Sequence, residues 1–466
     1  MKRCFWLEEA LADDADVADP VSCDMSADVC IVGGGFTGLW TAIRLKQAQP
    51  DLDVALIEKD ICGGGASGRN GGFAISWWSK YLTLKKMCGE EEAVRLARAS
   101  EDAVREIGTF CEANGIDAHY HCDGWLWTAT SKPQIGVWLE TMEALEQRQL
   151  RPFVELEDAE VARRAGSDRH LAGVFEQVAA SVQPARLARG LRRVALEMGV
   201  RIFENSPLVR LERSAPPRVH TPGGVITAGK VVIAMNAWAS MFPEIRRAIV
   251  VVGSDIVATE PIPDRLARIG WTDGMGISDS RAAVHYYRTT EDGRLVFGKG
   301  GSGDLAFGGQ VGKTFEGNSA HAAYVEGWMK YLYPDFDDVP CPTSWVGPID
   351  RSKSGLPMFG HLGGHPDILY GVGFSGNGVG PTVLGGRILA SLTLGLDDEW
   401  SACGLVQPLN WDFPPEPFRY VGGKIVQKAV LMCDAAEDRG RAPNFVVQKL
   451  AALAPSGVSQ PGTPDE

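Results

Sequence analysis

Residues 28–58 read DVCIVGGGFTGLWTAIRLKQAQPDLDVALIE. An apolar run breaks at three glycines, an amphipathic helical pattern follows, and a second apolar run ends in an acid. This is a βαβ unit of ordinary size. Gly33–Gly34–Gly35–Phe36–Thr37–Gly38 matches G-x-G-x-x-G. In that spacing the first glycine makes the tight turn, the second lets backbone amides approach a pyrophosphate, and the third packs helix against strand. The phosphate charge then rests on a helix N-terminus. Glu58 stands twenty residues after Gly38, where an acid accepts hydrogen bonds from ribose hydroxyls. A glycine turn that merely joined packed elements would leave Glu58 unexplained.

A second glycine cluster follows at once. Residues 63–73 read GGGASGRNGGF, six of eleven being glycine. Glycine costs conformational entropy on folding, so such density needs a reason. A nicotinamide enzyme has no general need for a second glycine loop after the ribose-binding acid. A flavin enzyme does, because backbone must come close beside the long cofactor. A flexible surface loop is the alternative.

Farther along, residues 90–114 carry helical periodicity with acids at the start, and the segment from Gln183 to Gly199 reads as another helix. A strand-rich stretch over 249–300 includes a hairpin turning on Asp292–Gly293. Length alone suggests about three domains. The fold class expected is α/β: a Rossmann-type FAD-binding domain interleaved with a β-rich α+β substrate domain. Residues 1–26 form an N-terminal arm. Residues 27–87, 175–245 and 345–400 build the FAD-binding domain, and 88–174 and 246–344 the substrate domain. Residues 401–466 are a C-terminal extension, and 455–466, PSGVSQPGTPDE, read as a disordered tail.

Hydrophobic content of 45 % and charged content of 23 % suit a globular chain with ample core. The net charge of −13 argues against nucleic acid or an anionic membrane as partner. The start, MKRCFWLEEALADD, turns acidic too early for a secretory signal, and no apolar run approaches the ~18 residues of a membrane helix. Ten cysteines without a C-x-x-C pair read as reduced thiols in the cytoplasm.

Taken together, GGGFTGLWTAIRL and LIEKDICGGGASGRNGGF resemble the D-amino-acid oxidase superfamily of FAD-dependent amine oxidoreductases. HYYRTTEDGRLVFGKG, SWVGPIDRSKSGLPMFG and GVGFSGNGV agree, in the right order over roughly residues 27–395. The GASGRNGG form is similar to the γ-glutamylputrescine oxidase branch. SWWSK and DGWLW are similar to bacterial proteins proposed to oxidise aminophosphonates.

The resemblance implies FAD as cofactor and oxidation of an amine C–N bond to an imine that hydrolyses, with oxygen as acceptor. It implies that Gly33, Gly35, Phe36, Thr37 and Gly38 hold the pyrophosphate, and that Glu58 and Lys59 meet the adenosine side. Ser67, Arg69, Asn70 and Gly71 would line the flavin. Leu208, Ala234 and Trp238 fall on adenine- and pyrophosphate-side strands, and Gly376, Asn377, Gly378 and Val379 on the loop beside the ring. Asn377 stands where the family often has histidine. Some members attach flavin through a cysteine whose position is Gly347 here, so non-covalent FAD is expected. An NAD(P)-dependent reductase, or a flavoprotein that only binds a metabolite, stays open.

The substrate is expected to be a small amine bearing an anion, such as an aminophosphonate or a γ-glutamyl amine. In a chain of net charge −13 that anion needs a local cation. Lys80, Arg288 and Lys299 are the candidates, Arg288 foremost because its fork suits phosphonate or carboxylate. Only one of Tyr286 and Tyr287 can face the flavin from a strand, and Tyr287 is the expectation. The catalytic set is therefore Tyr287, Arg288 and Asn377. Trp77, Trp78, Trp125 and Trp127 read as cavity wall or as core. His119, His121 and Cys122 lack a common face for a metal, and none is expected.

Overall fold

A computed structural model describes residues 3–455. All but the first residue of the expected tail lies outside the described residues. The described residues build two eight-stranded sheets and a small two-stranded one, Phe73–Ala74 with Ala180–Ser181. In the first, Met25–Val32 is central, flanked in parallel by Val54–Ile57 and Gly224–Ile233. Arg201–Phe203 extends one side and Ile368–Val372 the other, also parallel. VCIV and VALI are buried throughout, as strands covered on both faces must be. Helix Phe36–Ala48 packs against helix Pro381–Leu394 so closely that a Cβ on Gly386 would lie 2.8 Å from the backbone of Trp40. Helix Pro184–Glu197, begun by Pro184 and capped by the Gln183 side chain, packs beside them.

The second sheet runs Thr343–Ser352, Ile249–Ala258, Leu295–Leu305, His285–Thr289, Gly276–Asp279, Trp125–Ala129, Ala172–Glu176 and Phe153–Leu156. Strand Thr343–Ser352 pairs with Ile249–Ala258 over its full length, so this segment, expected to open the last part of the FAD-binding domain, is an edge of the second sheet. Helix Glu90–Ala113 buries one stripe, from Ala93 through Val104 to Cys111, at the spacing its sequence announces.

The N-terminal arm is an element in its own right. Helix Phe5–Asp13 buries Trp6, Leu7 and Ala10 against Ile61, Ala185 and Trp345. The C-terminal extension forms helices Phe418–Glu437 and Phe445–Ala451. No helix among the described residues is long and apolar enough to cross a membrane, and all ten cysteines are free.

Candidate active site

The two sheets enclose a cavity of about 630 Å³. Its floor at the first sheet is the dinucleotide turn. Gly33 has φ +116°, and a Cβ there would lie 2.4 Å from the Ala234 carbonyl. Gly38 does not line the cavity; a Cβ on it would lie 2.0 Å from the Gly33 carbonyl, so it holds helix to strand. Glu58 accepts from the N–H groups of Gly34 at 2.8 Å and Asp60 at 3.0 Å. Burial pushes its carboxyl up, and those two N–H groups oppose the shift.

Gly33, Gly35, Phe36, Thr37, Glu58 and Lys59 line the cavity, as do Ser67, Arg69, Asn70 and Gly71. Leu208, Ala234, Trp238 and the run Gly376, Asn377, Gly378 and Val379 complete the expected wall. Residues far apart in sequence thus converge. The Ser67 hydroxyl accepts from the Phe36 N–H at 2.9 Å and so joins the two glycine loops. Asn70 spends its side chain locally, donating to Ser67 O at 2.8 Å and accepting from Gly72 N–H at 2.7 Å. Lys59 lies over the Trp238 ring, 4.3 Å from its centroid.

Three expectations change. Tyr287 is not on the cavity: its hydroxyl meets His170 Nε2 at 2.5 Å and its ring stacks on Phe297 at 4.9 Å inside the second domain's core. Tyr286 lines the cavity instead, its hydroxyl 2.7 Å from Ser254 Oγ. The phase is decided across the strand pair, where Gly298 opposes Tyr286 and a Cβ on it would sit 2.2 Å from the ring.

Arg288 is buried behind the second glycine loop, donating to the carbonyls of Gly71, Val182 and Thr289. Burial lowers its pKa to about 10. Lys80 and Lys299 are buried too and do not line the cavity. Lys299 donates to Ala283 O and meets His285 Nε2 at 2.9 Å.

Besides Lys59, Arg69 and Arg246, the cavity is lined from the second sheet by Arg351, to which the sequence assigned no role. It is 7 % exposed, and among the described residues no carboxylate pairs with it. Burial alone lowers its pKa to about 10. Ser254, Ile256, Ser278, Val284 and Gly300 line the same side. Asp350, next in sequence, is buried and braces the wall, accepting from Asn236 Nδ2 at 2.9 Å and the Gly373 N–H at 2.6 Å.

Trp77, Trp125 and Trp127 are core residues off this cavity, as is Trp78. Among the described residues no group of three or more side chains could hold a metal.

Does the wall fit a flavin dinucleotide? The Trp238 Nε1 and Asn377 Nδ2 donors are buried and find no hydrogen-bond partner among the described residues. A ligand rich in acceptors would satisfy both. Gly347 lines the cavity where a Cβ would lie 3.2 Å from Arg69 O, and among the described residues no cysteine shares the lining. The glycine cradle, the carboxylate at the strand end and these donors fit FAD.

The comparisons agree with the geometry. Residues 28–392 match the family model described as DAO, FAD dependent oxidoreductase. The γ-glutamylputrescine oxidoreductase of Escherichia coli K12 is 30 % identical over 388 residues, spanning 82 % of this chain and 87 % of its own. The β subunit of sarcosine oxidase from Rhizobium meliloti is 26 % identical over 344 residues, 71 % of this chain and 76 % of its own. The glycine oxidase structure from Geobacillus kaustophilus superposes with a TM-score of 0.68 at 20 % identity, covering 83 % of this chain and 98 % of that one. Because the family match runs through both sheets and the cavity they enclose, the chain belongs to the DAO family of FAD-dependent oxidoreductases.

Proposed function

We propose that the protein oxidises the C–N bond of a small amine or amino-acid-like substrate carrying an anionic group, giving an imine that hydrolyses. The observation that carries this reading is Arg351, a buried guanidinium on the cavity wall with which no carboxylate among the described residues pairs. A buried unpaired cation is costly, and a substrate carboxylate or phosphonate offsets that cost by bidentate hydrogen bonding. Aminophosphonates and γ-glutamyl amines both meet the requirement. Family membership sets aside the nicotinamide alternative.

FAD bound in the cavity supplies a hydride acceptor. The chain's own groups orient and exclude. The N-terminal end of helix Pro381–Leu394 meets the cavity through Val379 and Thr382, and its dipole favours negative charge there. Tyr286 and Ser254 offer a hydroxyl pair on the substrate side. Gly347 removes any thiol from the wall, which supports non-covalent FAD. Oxygen is the proposed acceptor, with peroxide as product.

Among the described residues the lining holds no histidine, and its one carboxylate is Glu58, already engaged by two N–H groups. Without a base of its own, the site takes the amine neutral. Below the substrate amine's pKa, kcat/KM should therefore rise about tenfold per pH unit. A pH-independent kcat/KM across that range would reveal a base elsewhere.

Glu58→Ala should weaken FAD by about 1–3 kcal/mol, the scale of hydrogen bonds to a charged group. Titration of the apoprotein with FAD measures it, and unchanged affinity would count against the ribose role. The reaction itself is tested by assaying matched amine pairs, with and without a carboxylate or phosphonate, for carbonyl product and peroxide. Turnover confined to the anionic members supports the proposal, and turnover of the uncharged members alone contradicts it.

A further inference from the structure

Residues 68–71 of the second glycine loop have four consecutive carbonyls tied down from one side. The Cys4 thiol donates to Gly68 O at 3.1 Å, and Trp345 Nε1 to Arg69 O at 2.9 Å. Trp6 Nε1 donates to Asn70 O at 3.0 Å, and Arg288 Nε to Gly71 O at 2.8 Å. The four donors come from three segments of chain, yet they form one cluster. Trp6 meets Trp345 edge to face at 6.0 Å, Arg288 lies 5.0 Å from the Trp6 ring centre, and Cys4 packs in the same core. Gln183 in turn holds the helix, donating to Trp6 O at 2.7 Å.

A trans peptide points its C=O and N–H in opposite directions. Carbonyls pulled toward this cluster therefore turn the following N–H groups away from it, and Asn70 and Gly71 line the cavity. The N–H of Arg69 is used by Ala66 O, and that of Gly72 by the Asn70 side chain. Those of Asn70 and Gly71 find no acceptor among the described residues. Backbone donors left without a protein acceptor at a cavity wall call for an acceptor from a bound ligand.

We propose that Trp6, with Cys4, Trp345 and Arg288, are positioning residues that aim the Asn70 and Gly71 N–H groups at acceptor atoms of bound FAD. Cys4 and Trp6 lie before the matched segment 28–392, so the N-terminal helix adds this clamp from outside the family core. The inference rests on the reading of the cavity as the FAD site.

Trp6→Phe and Trp345→Phe keep the aromatic packing and remove one donor each. Each should raise the FAD Kd about tenfold, move the flavin's visible absorbance bands, and lessen the protection from hydrogen exchange that FAD gives the Asn70 and Gly71 amides. Trp271→Phe, in the second sheet's core, is the control for lost packing: Tm falls, while FAD affinity and bands stay. Cys4→Ala, which deletes only a weak donor, should fold in any event and show the same band shift at smaller size. If the variants lower Tm like Trp271→Phe but leave FAD Kd within about twofold, bands unmoved and amide protection intact, the clamp is only structural and the proposal falls. Wild-type protein that takes up no FAD would instead overturn the cavity reading itself.

Discussion

Gly35→Val should yield a folded, colourless protein. The position caps the helix that starts at Phe36 and lines the cavity at the proposed pyrophosphate end. A Cβ there meets one near atom, Ser67 Oγ at 2.8 Å. That is a side chain, so the fold can yield, but Ser67 must then release the Phe36 N–H and the valine methyls occupy the approach to the cofactor. The expected loss in FAD affinity is a hundredfold or more, about 3 kcal/mol. Gly38→Val is the contrasting case: its Cβ would fall 2.0 Å from a backbone carbonyl, and the βαβ unit itself should fail. A Gly35→Val protein that purifies with full flavin would show that the pyrophosphate lies elsewhere.

Arg351→Met should raise KM for an anionic amine ten- to hundredfold, about 1.4 kcal/mol per decade, because the substrate anion would then be buried without its cation. Methionine keeps the apolar stem of the side chain. An uncharged amine of similar shape should change by less than about twofold. Steady-state kinetics on a matched pair decides it. Equal effects on both substrates would mean that Arg351 does not read the anion, and the substrate class would lose its support.

How much of this could be read from the sequence follows from how local each signal is. The βαβ unit is written in contiguous residues, strand run, glycine spacing and acid, so Gly33 through Glu58 were legible. The second glycine loop was legible as close-approach backbone for the same reason. Arg351 was not. One charge on an alternating strand reads as solvent-facing, and its burial depends on Gly301, brought alongside from another strand, where a Cβ would come 3.1 Å from the guanidinium. Tyr286 and Tyr287 are two phases of one alternation, and Gly298 on the neighbouring strand chose between them. Arg288 looked like a substrate cation because sequence cannot show that three carbonyls claim it. The N-terminal helix spans only nine residues, too few for a clear period, and Trp6 takes its meaning from Asn70, 64 residues on.

The central claim is that one cavity joins FAD to the C–N bond of an anionic amine, and anaerobic titration of the purified holoenzyme tests it most directly. The flavin band near ~450 nm should bleach on adding an aminophosphonate or γ-glutamyl amine, persist with the uncharged counterpart, and return on admitting oxygen. A flavin that no amine bleaches, while NADH reduces it promptly, would contradict the account.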